Sequence, residues 1–320
     1  MLAIVPTIIS SVVHDAARSY VSEQEFINAT SDSDPHSMEP QLRFETPAVF
    51  ELKPVWQAMP VPRFEIDKPG RWHSKGSQDR LVHTLLGRQR GFFVDLAANH
   101  PVFISNTRAL ERDFNWTGLC IEANPRYWTL LRAVRNCHVV GVAVANTEGV
   151  ATFVDHIKGG FGGLDGPHRT ANASHLAKAG LLVRTFNTRT KPFDKLLAET
   201  GAPKIITYLS LDVENAEPLV MESFPFATHR FTLMTIESPE SVSFTHFKET
   251  TRYQAQALKK MIARLRNHGY RRLCRLGSDD VWVDMGAWLN KTAVSRIVSH
   301  DQISRCEPIV GLPIKGYEGK

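Results

Sequence analysis

The stretch that most constrains this chain is Gly91-Phe92-Phe93-Val94-Asp95-Leu96-Ala97-Ala98-Asn99-His100-Pro101. An aromatic and aliphatic run ends in an acid, small and turn-forming residues follow, and Val102 to Leu110 is expected to open a helix. Strand, tight turn, helix is the opening unit of a nucleotide-binding α/β domain, with the ligand where the strand's carboxyl end meets the helix. An acid at the strand end argues for a cationic or amine-bearing ligand. A pyrophosphate site would want Gly-x-Gly-x-x-Gly or a P-loop lysine, and neither is present.

The chain then repeats the unit. Before it, Ser77-Gln78-Asp79 leads into Leu81, Val82, Leu85 and Leu86, an N-capped amphipathic helix. After it, Trp116 to Ile121 is a strand ending at Glu122. Pro125 opens a helix carrying Tyr127, Trp128, Leu130, Leu131 and Val134. His138 to Val144 reads as a third buried strand, and Gly149 to Asp155 as an added one. Phe193 to Leu197 begins a helix. Ile205 to Leu211 is a strand ending at Asp212, and Ala216 to Phe224 is helical. Phe231 to Ile236 is a strand ending at Glu237. Tyr253 to His268 is a long basic helix. Tyr270 to Leu276 and Val281 to Met285 form a terminal hairpin about Gly277 to Asp280. Alternating strands and helices predict an α/β fold.

The flanks differ. Residues 1–72 lack a period and carry Ser31-Asp32-Ser33-Asp34-Pro35, so they read as a partly disordered arm laid on the domain by Phe50, Leu52, Val55 and Trp56. The domain is expected over 73–290, with a tail over 291–320. Lys158 to Gly180, rich in glycine and histidine, is expected to be a mobile lid. His156, His168 and His175 read as solvated loop histidines. Cys120 and Cys274 lie in apolar runs and read as buried small hydrophobes; no Cys-x-x-Cys pair suggests zinc or redox chemistry. The net charge of +5 is mild, so a nucleic-acid partner is not expected. The arginines 264, 266, 271, 272 and 275 read as a solvated face. No run is long enough for a transmembrane helix. Leu2 to Val13 is weakly signal-like, and the compartment stays open with the cytoplasm as default. Oligomeric state is unspecified.

Val94-Asp95-Leu96, Ala98-Asn99 and Ser105-Asn106-Thr107 resemble motif I of class I S-adenosylmethionine-dependent methyltransferases. More closely they are similar to the FkbM family, whose usual form is Val-Asp-Leu-Gly-Ala-Asn-Asp-Gly followed by Ser-Asn-Thr. Leu211-Asp212-Val213-Glu214-Asn215-Ala216-Glu217 resembles that family's Asp-x-Glu-Gly-x-Glu signature. The likeness spans roughly 73–286. It implies a Rossmann-like seven-stranded methyltransferase sheet, helices on both faces, an antiparallel C-terminal hairpin, and S-adenosylmethionine as cofactor. It also implies methylation of a small-molecule hydroxyl compound such as a sugar or polyketide. No Asn-Pro-Pro-Tyr marks an exocyclic-amine acceptor, which agrees with O-methylation. A non-catalytic binding module on a degenerate fold, and an RNA-directed methyltransferase, are the rival readings.

The cofactor is expected to meet Asp95, Ala97, Asn99, Glu122 and Asp212. Asp95 lies near the methionine amine in the family. Glu122 ends the next strand, where a carboxylate accepts two ribose hydroxyls. Asn124 reads as a helix cap. Asp212 borders the reacting methyl, and Glu214 or Glu217 organises the substrate or takes its proton. Glu217 and Glu237 lie close in the pattern, but no metal is expected. Ala97 replaces the family's glycine and disfavours positive φ, so the turn is expected to be reshaped. Pro101 is expected to push a neutral His100 towards extended backbone. Asn215 replaces a glycine and tolerates left-handed backbone.

Overall fold

A computed structural model describes residues 66–87, 90–156, 162–166, 183–214, 216–238, 252–289 and 307–308. The arm's anchoring residues, His168, His175 and Asn215 lie outside the described residues.

Twelve strands run along the described chain: β1 Phe92–Leu96, β2 Thr117–Ile121, β3 His138–Val140, β4 Ala143–Ala145, β5 Gly149–His156 and β6 Gly162–Leu164, then β7 Val183–Pro192, β8 Ile205–Leu211, β9 Arg230–Glu237, β10 Tyr270–Leu276, β11 Asp279–Asp284 and β12 Glu307–Pro308. The main sheet has the order β3-β2-β1-β8-β9-β11-β10-β12. β3, β2, β1, β8 and β9 are mutually parallel, while β11 is antiparallel to β9 and β10. Seven strands form the expected α/β sheet with its antiparallel hairpin, and the two-residue β12, from the tail, extends its edge.

The sheet is buried on both faces, which is why its central strands read as continuous apolar runs rather than alternating ones. Neighbouring residues of a strand point to opposite faces. Val94 and Leu96 of β1 therefore join one core with Leu119, Ile121, Leu209 and Met234. Phe93 joins the other with Cys120, Tyr208, Leu233 and Val281. Chain order runs outwards from β1 to β2 and β3 on one side and continues through β8 and β9 on the other. The order reverses between β1 and β8, and a crevice opens there outside the carboxyl ends.

Several expectations are corrected. The single strand over His138 to Val144 is two: β3 is a half-exposed edge of the main sheet, and β4 belongs to a second sheet of order β4-β7-β5-β6. Gly141 lies between them, where a Cβ would meet the Trp128 indole at 2.6 Å. Within the expected lid, residues 162–164 form β6, paired to β5; residues 167–180 lie outside the described residues. The helix expected from Val102 begins only at Arg108 and ends at Phe114. Pro101 and a left-handed Ile104 (φ 53°) delay it, and Ser105 Oγ accepts the N–H groups of Thr107 and Arg108. Ser77 is not the side-chain cap of the helix Gln78–Leu86. Buried Asp79 organises that entry instead, accepting from the N–H groups of His73, Ser74 and Arg80.

The cysteine reading is also corrected. Cys120 and Cys137 are joined in a disulfide with Cα atoms 5.8 Å apart, and Cys274 is disulfide-bonded too. All three are buried as expected of small apolar groups, but as bridges.

The first described residues pack onto the helix Arg108–Phe114. Asp67 accepts from Arg108 and Arg112, and Trp72 stacks on Phe114 at 5.8 Å. At the other end of the sheet the hairpin's arginines are largely spent internally: Arg272 and Arg275 donate to Asp280.

Candidate functional site

Asp95 pairs in register with Cys120 of β2 and Ser210 of β8, so Glu122 and Asp212 follow at neighbouring strand ends. A cleft of about 950 Å³, counting its open mouth, forms there. Asp95, Ala97, Asn99, Glu122, Asp212 and Glu214, all chosen from sequence, line this one cleft.

The turn after β1 is built by strain and by Glu122. Ala97 and Asn99 both lie in the left-handed region, at φ 70° and 52°. Ala97 therefore adopts the positive φ that its side chain was expected to avoid. What holds it is cross-strand bonding: Ala97 and Ala98 donate to the Ile121 carbonyl. Glu122 Oε2 accepts the Asn99 N–H and Oε1 accepts the Asn124 N–H, each at 2.7 Å. Burial pushes the Glu122 carboxyl up to about 7, against the two N–H groups that favour its charge. Each oxygen keeps lone-pair capacity for a ligand hydroxyl. Asn124 caps the short 3₁₀ turn Pro125–Tyr127, accepting from Arg126 N–H, as expected.

His100 is fully buried and does not line the cleft. Its Nδ1 accepts the N–H groups of Val102 and Phe103, both at 3.1 Å. Burial lowers its pKa to about 3, so the ring is neutral and a ring nitrogen can serve as the turn's acceptor. The His100-Pro101 pair is thus a capping device behind the site.

Asp95 is buried, and its carboxylate accepts from the Thr107 hydroxyl and is hydrogen-bonded to Ser210. Burial raises its pKa, while the Arg135 guanidinium and those hydroxyls pull the other way.

Beyond β8 three carboxylates converge: Asp212, Glu217 and Glu237 each offer an oxygen within 4.8 Å of the others. Burial raises all three, and their mutual repulsion adds to it; Asp212 and Glu237 hydrogen-bond to one another. Such a trio keeps a proton at neutral pH or takes a cation. Glu217 is largely committed, accepting the Val213 N–H at 2.9 Å. Glu214 lines the cleft from a left-handed position at φ 56°.

The second sheet supplies what sequence reasoning missed. Ala143, Val144, Phe153, Asp155 and Leu164 wall the same cleft, with Val142 just before β4. Asp155 is held by Arg184 at 2.7 Å and Arg126 at 3.5 Å. Alternation in Gly149 to Asp155 marks a strand, but nothing local says that it folds over the crevice.

The cleft's chemistry fits a ligand with amine and hydroxyl donors. It is lined by carboxylates, and the buried Asn99 Oδ1 has no hydrogen-bond partner among the described residues. Among the described residues no helix is long and apolar enough to cross a membrane.

A family profile described as Methyltransferase FkbM domain matches residues 95–272. Curated protein sequences give no match. Among solved structures, the chain is similar to a precorrin-6y C5,15-methyltransferase from Geobacter metallireducens GS-15, at 11% identity and TM-score 0.31, covering 65% of this chain and 86% of that one. It is also similar to an O-methyltransferase from Bacillus cereus in complex with SAH, at 10% identity and TM-score 0.39, covering 87% of this chain and 97% of that one.

Proposed function

The chain belongs to the FkbM methyltransferase family, which uses S-adenosylmethionine, and on that premise we propose O-methylation of a polar hydroxyl compound such as a sugar or polyketide. The observation that carries this reading is one cleft lined by Asp95, Glu122, Asp212 and Glu214, at the ends of adjacent parallel strands.

Bound there, S-adenosylmethionine supplies an electrophilic methyl group on a sulfonium. Asp95 faces the amine of its amino-acid end. Glu122 accepts the ribose hydroxyls with the lone pairs that the backbone leaves open. Asp212 would border the methyl group, and Glu214 would accept the hydroxyl proton of the acceptor. Most of the acceleration comes from holding the acceptor oxygen on the methyl–sulfur axis, with base assistance adding to it. An acidic cleft floor also suits an acceptor rich in hydroxyl donors. No metal is assigned to the acid trio.

The test is calorimetric titration with S-adenosylmethionine, followed by transfer of a labelled methyl group to a pool of sugars and natural-product alcohols. Cofactor binding with label recovered as a methyl ether supports the proposal. Absence of cofactor binding would leave a binding module on a degenerate fold. Label appearing in RNA, with salt-dependent RNA binding, would move the acceptor to nucleic acid.

A further inference from the structure

Arg135 follows the helix Trp128–Val134, far in sequence from the motif I turn, and no motif contains it. Its side chain is fully buried. Such burial of a guanidinium is costly unless every donor is used. Here each branch is used: Nε donates to Glu111 Oε2 at 2.5 Å, Nη1 to Ser105 Oγ at 3.1 Å, and Nη2 to Thr107 Oγ1 at 2.7 Å. Nη1 also reaches the Pro101 carbonyl at 3.5 Å, and the guanidinium lies over the Phe93 ring at 5.7 Å.

The Thr107 hydroxyl is the joint. Arginine has donors only, so the hydroxyl oxygen must accept from Nη2. Its single proton is then directed to the 2.5 Å contact with Asp95 Oδ2. A chain of fixed polarity runs from Glu111 through Arg135 and Thr107 to the carboxylate in the cleft. Glu111 is itself fixed by Arg108 and by the Asn136 N–H.

We infer that Arg135, acting through Thr107, is a positioning residue that sets the Asp95 carboxylate for the amino-acid end of the cofactor. This rests on the cofactor placement proposed above. A guanidinium suits the task because its rigid fork reaches Glu111, Ser105 and Thr107 at once, which an ammonium on a flexible stem does not.

The experiment compares two ligands: S-adenosylhomocysteine, which has the amine and carboxylate, and 5′-methylthioadenosine, which lacks them. Thr107→Val keeps the shape and removes the hydroxyl; Thr107→Ser keeps the hydroxyl. Thr107→Val is expected to bind S-adenosylhomocysteine about tenfold more weakly while methylthioadenosine affinity stays unchanged. Thr107→Ser is expected to restore the wild-type ratio, and Arg135→Lys to show the same split as Thr107→Val. If Arg135→Lys does not fold, the threonine pair decides. Equal loss for both ligands, or no loss for either, overturns the inference and leaves Arg135 a structural residue. Wild-type protein that fails to bind S-adenosylhomocysteine sinks the cofactor placement itself, a distinct result.

Discussion

Glu122 Oε2 accepts the Asn99 backbone N–H at 2.7 Å, so the acid at the end of β2 holds the turn at the end of β1. The residue expected to meet the ribose is thus also the brace of the turn. Removing it takes away both roles; the amide keeps one accepting oxygen but sets its NH2 against one of the two backbone N–H groups, so it removes the charge and weakens the brace.

We expect Glu122→Gln to keep the fold and to weaken S-adenosylmethionine binding about tenfold, and Glu122→Ala to weaken it towards a hundredfold. Calorimetry on variants with wild-type circular dichroism checks this. An unchanged dissociation constant in Glu122→Ala would take the residue out of the site.

The pH dependence follows from the same carboxyl, raised from 4.5 to about 7 by burial. Its folded value lies above its unfolded one, so the stability it contributes is full below the unfolded value and is lost as pH rises through the folded one. Ribose hydroxyls donate to the ionised form, so cofactor affinity should move oppositely and increase between pH 6 and about pH 8. Glu122→Gln should abolish that increase. A wild-type profile identical to that of the amide variant would show that Glu122 does not titrate against the ligand.

Ala97 sits at φ 70°, where an L side chain is strained. Ala97→Gly should relieve roughly 1–2 kcal/mol of left-handed strain, offset in part by glycine's entropy of about 0.5–1 kcal/mol. A net gain of about 0.5 kcal/mol corresponds to roughly 1–2 °C in Tm, measured by calorimetric melting. His100→Asp should leave cofactor affinity within about twofold, because the ring caps the turn from outside the cleft. A lower Tm for Ala97→Gly would mean that the turn carries no strain.

The Cys120–Cys137 bridge closes a separation of 17 residues. Loop closure of that size contributes on the order of 3 kcal/mol. The double variant Cys120→Ala/Cys137→Ala should therefore melt several degrees lower than wild type, both measured without reductant at equal pH and salt. A linked peptide carrying both residues should appear in a non-reducing digest. Such bridges persist in oxidising surroundings, which makes the digest also a readout of where the chain matures.

Glu214→Gln should lower kcat on the identified alcohol by about a hundredfold while the cofactor dissociation constant changes by less than about twofold. Loss of binding with kcat unaltered would reassign Glu214 from the acceptor's proton to the cofactor.

What the sequence determined was local and one-dimensional. The apolar runs at Phe92 to Leu96, Ile205 to Leu211 and Phe231 to Ile236 had to be buried strands, and acids placed directly after such runs had to emerge at one edge of a parallel sheet. That reasoning brought Asp95, Glu122, Asp212 and Glu214 to a single cleft. It reached no further where packing outweighs local preference. Ala97 takes a backbone conformation its Cβ disfavours because bonds to Ile121 and the brace from Glu122 hold it there. Phe153 and Leu164 wall the cleft only because a second sheet pairs β5 with β6 and β7 beside it. Cys120 found Cys137 rather than apolar neighbours alone. Arg135 carries no pattern of its own: its partners lie at residues 101 to 111, and only the tertiary fold brings those donors and acceptors within hydrogen-bond reach.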